Sequence, residues 1–135
     1  MAFIIEGLRE TYCEFAGIMY TLKKSLGQHF LKDEKVVDKI VASLNLHSFK
    51  NLLEVGPGAG ALTKHLIKIP GINFKAVELD TEKVDYLLNK FPELDGKLIN
   101  KSFLEIDRPF EDCFTIIGNF PYNISTQILF KILEW

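Results

Sequence analysis

The sequence predicts an α/β domain whose strands form a doubly wound, mostly parallel sheet. Apolar segments of strand length alternate with segments whose apolar residues recur at helical spacing. A glycine-rich run over residues 56–60 (Gly-Pro-Gly-Ala-Gly) lies between the first predicted strand and a helix. Glu78 closes the next predicted strand roughly twenty residues farther on, as in nucleoside-binding α/β domains. We therefore expect a ligand at the carboxyl ends of the strands.

The individual elements follow from apolar spacing and from start and stop residues. Asp33 can cap a first helix, in which these apolar residues recur at helical spacing: Val36, Val37, Ile40, Val41 and Leu44. Strands are expected over residues 51–55, 73–79, 97–101 and 113–118, the third of them weak. Helices are expected over residues 61–69 and from Thr81 to Pro92, the latter burying Val84, Leu87, Leu88 and Phe91.

The two ends of the chain fit this unit less well. Residues 1–18 match no element, and we interpret them as a leader of uncertain origin ahead of a domain over residues 19–135. The chain stops at Trp135 inside a predicted amphipathic helix, without a glycine or proline stop signal. We therefore expect a domain truncated at its C-terminus, with an exposed sheet edge that favours association.

Composition and charge are those of one globular domain. The 135 residues are 47% hydrophobic and 25% charged, which is ordinary for a protein with a packed core. The net charge of −2 provides no overall basic field for nucleic acid. Lysines are in local excess between residues 20 and 50, where a solvated surface is the simplest explanation: Lys23, Lys24, Lys32, Lys35, Lys39 and Lys50.

Cysteine content and hydropathy indicate the cytoplasm. Cys13 and Cys113 have no metal-ligand spacing and form no disulfide framework, so we expect free thiols in a reducing compartment. No apolar run approaches the roughly twenty residues that cross a bilayer, and the N-terminal segment lacks the basic start of a signal peptide. We expect no metal site, and these patterns specify no oligomeric state.

The glycine-rich loop is the main binding signal. Gly56, Gly58 and Gly60 allow the main chain to approach a ligand closely and leave helix amides for an anionic group. The carboxylate of Glu78 can accept the ribose hydroxyls of a nucleoside. A dinucleotide and S-adenosylmethionine both fit this pattern, and a plain strand-to-helix turn is the simpler alternative. Glu54 favours the methyl donor modestly, because a buried acid repels a pyrophosphate and attracts a sulfonium or amino group.

Residues 119–122 (Asn-Phe-Pro-Tyr) follow the fourth predicted strand at the same sheet edge. The side-chain oxygen of Asn119 and the main-chain carbonyl of Phe120 can accept both hydrogens of an exocyclic amine. Pro121 fixes the backbone and keeps Phe120 extended, while Tyr122 offers a ring on which a base can stack. This arrangement suits N6-methylation of adenine by alignment, without a general base. A turn followed by a core tyrosine is the simpler alternative.

Four motifs in order resemble the ribosomal RNA adenine N6-dimethyltransferases, which are related to the erythromycin-resistance methyltransferases. They are residues 24–31 (Lys-Ser-Leu-Gly-Gln-His-Phe-Leu), 54–60 (Glu-Val-Gly-Pro-Gly-Ala-Gly), 77–80 (Val-Glu-Leu-Asp) and 119–125 (Asn-Phe-Pro-Tyr-Asn-Ile-Ser). The resemblance covers residues 20–135. It implies a Rossmann-like methyltransferase fold, S-adenosylmethionine as cofactor, and small-subunit ribosomal RNA in the immature subunit as substrate. It also implies a seven-stranded sheet and a C-terminal helical domain, which this chain would hold only in part.

The resemblance assigns roles to single residues. The methyl donor is expected to contact His29, Leu31, Gly56, Glu78, Ser102 and Asn119. The loop adds Glu54, Gly58 and Gly60 to this set. The expected catalytic residues are Asn119, Phe120, Pro121 and Tyr122, and the expected RNA contacts are Lys23, Lys24, Gln28 and Tyr122.

One position departs from the family pattern. The family usually has Asp where this chain has Ser102, at the contact with the adenine amine of the cofactor. Serine accepts a hydrogen bond without charge, which would cost about 1.5–3 kcal/mol, or roughly ten- to hundred-fold in affinity. Asp107 lies too far along the chain to compensate. We expect the chain alone to be a poor enzyme.

Three other functions stay open on the sequence. A DNA adenine or protein glutamine methyltransferase keeps the chemistry, but those enzymes usually have a second proline where this chain has Phe120. An RNA-binding assembly or transcription factor that has lost catalysis is compatible with Ser102. A nicotinamide dehydrogenase leaves residues 119–122 unexplained.

Overall fold

The computed structural model of this protein describes residues 2–6, 18–20, 33–44, 49–120 and 122–135. Within these ranges six strands form one sheet: β1 (Ala2–Glu6), β2 (Ile18–Tyr20), β3 (Asn51–Val55), β4 (Asn73–Glu78), β5 (Leu98–Asn100) and β6 (Thr115–Asn119). The helices of the same ranges are α1 (Glu34–Leu44), α2 (Thr63–Leu66), α3 (Thr81–Lys90) and α4 (Tyr122–Leu133), with 3-10 turns at Pro92–Leu94 and Phe103–Glu105. The four predicted strands are confirmed to within two residues at each end.

The sheet has the order β2-β1-β6-β3-β4-β5. β6, β3, β4 and β5 are parallel, as predicted. β1 is antiparallel to β6, from Ala2 opposite Asn119 to Glu6 opposite Thr115, and β2 pairs with β1. The expectation that residues 1–18 match no element is therefore wrong for residues 2–6 and for Ile18, and β6 has a paired edge rather than an exposed one. β1 depends on hydrogen bonds to β6, over a hundred residues later in the chain. No local sequence pattern specifies such a pairing.

Apolar layers cover both faces of the sheet, which confirms the doubly wound prediction. Alternate residues of a strand supply the two layers, so that Leu52 of β3 belongs to one and Leu53 to the other. The first layer packs under α1, α2 and α3 and includes Val37, Ile40, Leu44, Leu66 and Leu87. The second layer packs under α4 and includes Phe103, Ile106, Phe110, Phe114, Ile128 and Ile132.

Aspartate side chains set the starts of two helices. Before α1, Asp33 accepts a hydrogen bond from the Lys35 amide at 3.0 Å. Before α3, Asp80 accepts from the amides of Glu82 and Lys83 at 3.0 and 3.4 Å. Both helices begin where predicted, and Pro92 follows α3 as expected.

Two predicted helix boundaries are wrong. α2 occupies only residues 63–66 of the expected 61–69, because Leu62 supplies no side-chain cap and the flanking turns use shorter i to i−3 hydrogen bonds. α4 ends at Leu133, so Trp135 lies beyond the helix. Its ring packs instead on Phe103 and Phe114, at centroid distances of 5.2 and 5.9 Å.

Candidate active site at the carboxyl edge of the sheet

Three neighbouring strands end in a row of polar and glycine residues. The register of β3 with its two neighbours makes Gly56 level with Glu78 of β4 and Asn119 of β6. Because side chains alternate along a strand, Glu78 and Asn119 belong to the same face as Ala76 and Ile117, which lie in the α1–α3 layer. A Cβ at Gly56 would lie 3.9 Å from the Asn119 carbonyl oxygen. Because Gly56 has no side chain, this row holds only main chain between Glu78 and Asn119.

The loop after β3 takes its shape from left-handed backbone. The φ angles are +67° at Gly56 and +57° at Gly58, which residues with side chains rarely adopt. Gly60 meets a steric requirement as well, since a Cβ there would lie 2.6 Å from the Phe91 ring and 3.1 Å from Leu87. The loop therefore packs closely on α3 and presents bare main chain at the sheet edge.

Glu78 is oriented by main-chain amides on two sides. Its Oε2 accepts a hydrogen bond from the Gly58 amide at 3.1 Å, and its Oε1 accepts one from the Asp80 amide at 3.0 Å. The residue is 7% exposed. A carboxylate has about four acceptor positions, so a fixed carboxylate with these two contacts can still receive hydrogen bonds from the hydroxyls of a ligand.

Glu54 lies two residues before Gly56 on β3, on the same face of the sheet but farther from the edge. It is 1% exposed. Its Oε2 accepts a hydrogen bond from the Thr63 hydroxyl at 2.8 Å. Burial raises the pKa of Glu54 to about 8, while the Thr63 hydrogen bond opposes this rise and the charge of Glu78 adds to it. Glu54 therefore links β3 to α2 beneath the loop, and its contact with a methyl donor stays a prediction.

The end of β6 is anchored by packing. Phe120 is 4% exposed and belongs to the second apolar layer. A Cβ at Gly118 would lie 2.3 Å from the Phe120 ring and 2.5 Å from the Val55 carbonyl oxygen, so glycine is required there. The backbone on either side of Asn119 is thus held by the core, and the catalytic role of Asn119 stays a prediction.

Ser102 lies two residues after the end of β5. Its hydroxyl oxygen accepts a hydrogen bond from the Leu104 amide at 3.3 Å and so caps the turn over Phe103–Glu105. Its contact with a cofactor stays a prediction. Several predicted site residues lie outside the described residues, namely Lys23, Lys24, Gln28, His29, Leu31 and Pro121. Tyr122 begins α4, and the role of its ring also stays a prediction.

Three residues at this edge were not identified from the sequence. Thr63 is the partner of Glu54, nine residues away, and its place at the start of a predicted helix was the only available signal. Leu79 follows Glu78 and is 68% exposed. Asn100 donates hydrogen bonds to the carbonyls of Glu78 and Leu79, a contact between separate strands that no sequence pattern indicates.

Comparison with known proteins identifies the family. The family model "Ribosomal RNA adenine dimethylase" matches residues 19–135. The chain belongs to this family. The "Ribosomal RNA small subunit methyltransferase A" of Cytophaga hutchinsonii is 49% identical over 116 residues, which are 84% of this chain and 45% of the relative. The protein of the same name from Flavobacterium johnsoniae is 49% identical over 84% of this chain and 44% of the relative. The chain therefore spans about 45% of the length of the curated relatives it matches.

Solved structures confirm the methyltransferase fold. The 23S rRNA methyltransferase ErmE superposes with a TM-score of 0.63 at 28% identity, over 78% of this chain and 43% of that one. A putative RNA methyltransferase from Pyrococcus horikoshii superposes with a TM-score of 0.55 at 22% identity, over 86% and 68% of the two chains. This family member thus has the Rossmann-like sheet that the resemblance implied.

Within the described ranges, no helix is both long enough and apolar enough to cross a membrane. Nor do the described side chains include a group of three or more His, Cys, Asp or Glu residues that could hold a metal ion.

Proposed function

We propose that this chain forms the S-adenosylmethionine-binding part of an enzyme that N6-dimethylates adenines in small-subunit ribosomal RNA. The observation that carries the proposal is the row of Glu78, Gly56 and Asn119, which sets an oriented carboxylate and an amide about two strand spacings apart, or about 10 Å. The relatives named as small-subunit methyltransferases support the choice of RNA. The enzyme would act on the immature small ribosomal subunit in the cytoplasm.

The residues of the row and its surroundings fit a nucleoside-bearing methyl donor. Glu78 offers oriented oxygens to ribose hydroxyls, and Gly56 leaves room for the ligand beside it. The exposed Leu79 offers an apolar surface to a nucleobase, and the Ser102 hydroxyl offers an uncharged acceptor to its amine. When bound, S-adenosylmethionine supplies an electrophilic methyl group on a sulfonium.

Asn119 and Phe120 would hold the amine of the target adenine. The side-chain oxygen of Asn119 and the carbonyl oxygen of Phe120 each accept one N–H, which favours a tetrahedral nitrogen with its lone pair available. The nitrogen becomes acidic once it carries the methyl group, so its proton can pass to water without a general base. Close packing of the buried Phe120 ring on Gly118 supports a fixed main chain at this point, and alignment of the reacting groups is worth effective molarities of about 10⁵ M or more.

The remaining predicted residues complete the proposal. Tyr122 would stack on the target base, a contact worth about 1–3 kcal/mol. Lys23, Lys24 and Gln28 would contact the RNA. His29 and Leu31 would lie against the methyl donor. Because the chain spans less than half of its relatives, we expect it to bind the cofactor more readily than it methylates RNA.

Calorimetric titration tests the cofactor assignment. S-adenosylmethionine should bind the chain, and Glu78→Ala should weaken binding by about ten- to hundred-fold, because a carboxylate that accepts hydroxyl hydrogen bonds is lost. Glu82→Ala is the matched control, since this exposed carboxylate lies in the first turn of α3. Binding of NADH in place of the methyl donor would contradict the proposal.

An RNA-binding assembly factor is the second candidate, favoured by the use of the Ser102 hydroxyl as a turn cap. Methyl incorporation into small-subunit RNA, DNA and protein distinguishes the targets when the chain is part of a full-length enzyme. Asn119→Ala should abolish incorporation, because an acceptor for the target amine is lost. A full-length protein that keeps its cellular role as Asn119→Ala would favour the assembly factor.

A further inference from the structure

We infer that Asn100 is a positioning residue for the nucleoside site, acting through the turn that carries Glu78; this inference rests on the proposed function. Asn100 is the last residue of β5 and pairs in register with Glu78 of β4. Its Nδ2 donates hydrogen bonds to the carbonyl oxygens of Glu78 at 3.0 Å and Leu79 at 3.2 Å. Its Oδ1 accepts one from the Thr81 hydroxyl at 3.1 Å. Every one of these contacts falls within residues 78–81.

These hydrogen bonds extend the sheet past its last main-chain pair. The ladder between β4 and β5 ends at Glu78 and Asn100. Beyond that point the carbonyl of Leu79 has left the strand, and the main chain turns toward α3. The NH₂ group of Asn100 has two donors, so it can bond to both carbonyls of this turn. These bonds replace the main-chain bonds that a longer β5 would provide.

Glu78 is consequently held at both its main chain and its side chain. Asn100 fixes the main chain from β5, while the amides of Gly58 and Asp80 fix the carboxylate. If the Asn100 contacts are removed, the main chain of the turn gains freedom and the carboxylate loses its fixed direction. The bond to the Leu79 carbonyl holds the main chain one residue beyond Glu78 as well. A preorganised acceptor binds more tightly because less ordering is required on binding.

The role of Asn100 is separable from general stability. Asn100 is exposed and contributes to neither apolar layer, so Asn100→Ala should change the thermal midpoint little. Affinity for S-adenosylmethionine should fall by about 3- to 10-fold, as expected for one or two neutral hydrogen bonds. Asn100→Asp should bind S-adenosylmethionine no more tightly than Asn100→Ala does. Aspartate keeps the acceptor for the Thr81 hydroxyl but places a carboxylate against the carbonyls of Glu78 and Leu79.

A double-mutant cycle with calorimetric titration tests the coupling. If Asn100 acts through Glu78, Asn100→Ala should have no further effect on affinity in a Glu78→Ala background. Asn73→Ala is the matched control: its Nδ2 donates to Asn51 Oδ1 at 3.3 Å, at the opposite end of β4. The inference would be overturned if Asn100→Ala lowered affinity equally in the wild-type and Glu78→Ala backgrounds. It would also be overturned if Asn100→Ala kept wild-type affinity, or if Asn73→Ala lost as much affinity as Asn100→Ala.

Amide hydrogen exchange provides a readout that needs no ligand. The amides of Gly58 and Asp80 donate to the Glu78 carboxylate. In Asn100→Ala, hydrogen exchange at these two amides should accelerate relative to the amides of the sheet strands. Unchanged exchange at both amides would overturn the positioning role. If these amides respond but the wild-type chain binds no S-adenosylmethionine, the turn is positioned as inferred and the proposed function is wrong.

Discussion

Replacing Glu54 with glutamine should change how the stability of this domain depends on pH. Burial raises the pKa of Glu54 from its ordinary value near 4.5 to about 8, so the folded protein holds this carboxyl protonated at neutral pH. The unfolded chain releases that proton near pH 4.5. The contribution of Glu54 to stability is therefore complete below pH 4.5 and is lost as the pH rises toward 8.

The size of the effect follows from the two pKa values. Within this window, each pH unit lowers the free energy of unfolding by about 1.4 kcal/mol. Across the whole window the loss is on the order of 4–5 kcal/mol, an upper bound because a buried site can relax when it ionises. The glutamine side chain would have no proton to lose and nearly the same volume, and its amide oxygen can still accept from Thr63. Glu54→Gln should therefore lie close to wild type at pH 5 and exceed it by several kcal/mol above pH 8.

Urea denaturation followed by circular dichroism across the range from pH 5 to pH 9 measures this difference. Glu82→Gln is the control, because it removes an exposed carboxyl from α3 and should leave the pH profile parallel to that of wild type. If Glu54→Gln also ran parallel to wild type between pH 5 and 8, the carboxyl would have the same pKa in both states. The reasoning from burial would then be refuted.

Two further substitutions and one deletion test other parts of the structure. Ser102→Asp should raise affinity for S-adenosylmethionine by roughly ten- to hundred-fold in calorimetry, since aspartate adds a charged acceptor and can still cap the turn; unchanged affinity would place Ser102 away from the cofactor. Gly118→Ala should lower the free energy of unfolding by about 1–3 kcal/mol or more in urea denaturation, because its Cβ would collide with Phe120 and Val55. The double variant with Phe120→Leu should recover part of that loss, and no recovery would argue against the ring contact. Removing residues 1–20 should unpair the edge of β6 and cause concentration-dependent association in analytical ultracentrifugation; a monomer at all concentrations would show that β1 does not protect this edge.

Local patterns determined the parallel part of the fold. The starts of α1 and α3 follow from aspartate caps, which act within three residues of the chain. The four parallel strands follow from short apolar segments between turn signals. Glu78 and the glycines of the loop were recognisable because a strand-to-helix turn that binds a nucleoside requires these residue types in sequence order. Residues 119–122 were predicted as catalytic because amine methylation needs acceptors and an aromatic ring together, and that role stays a prediction.

Tertiary structure decided the features that depend on contacts between distant segments. Strand register placed Glu78 and Asn119 on one face and set Glu54 one level deeper, where burial raises its pKa. Pairing with β6 made a strand of residues 2–6. The amide of Asn100 found its acceptors on a neighbouring strand. Sequence patterns of period two or 3.6 carry information about which residues are buried, but the partners of a buried or bridging group are chosen by how whole strands align.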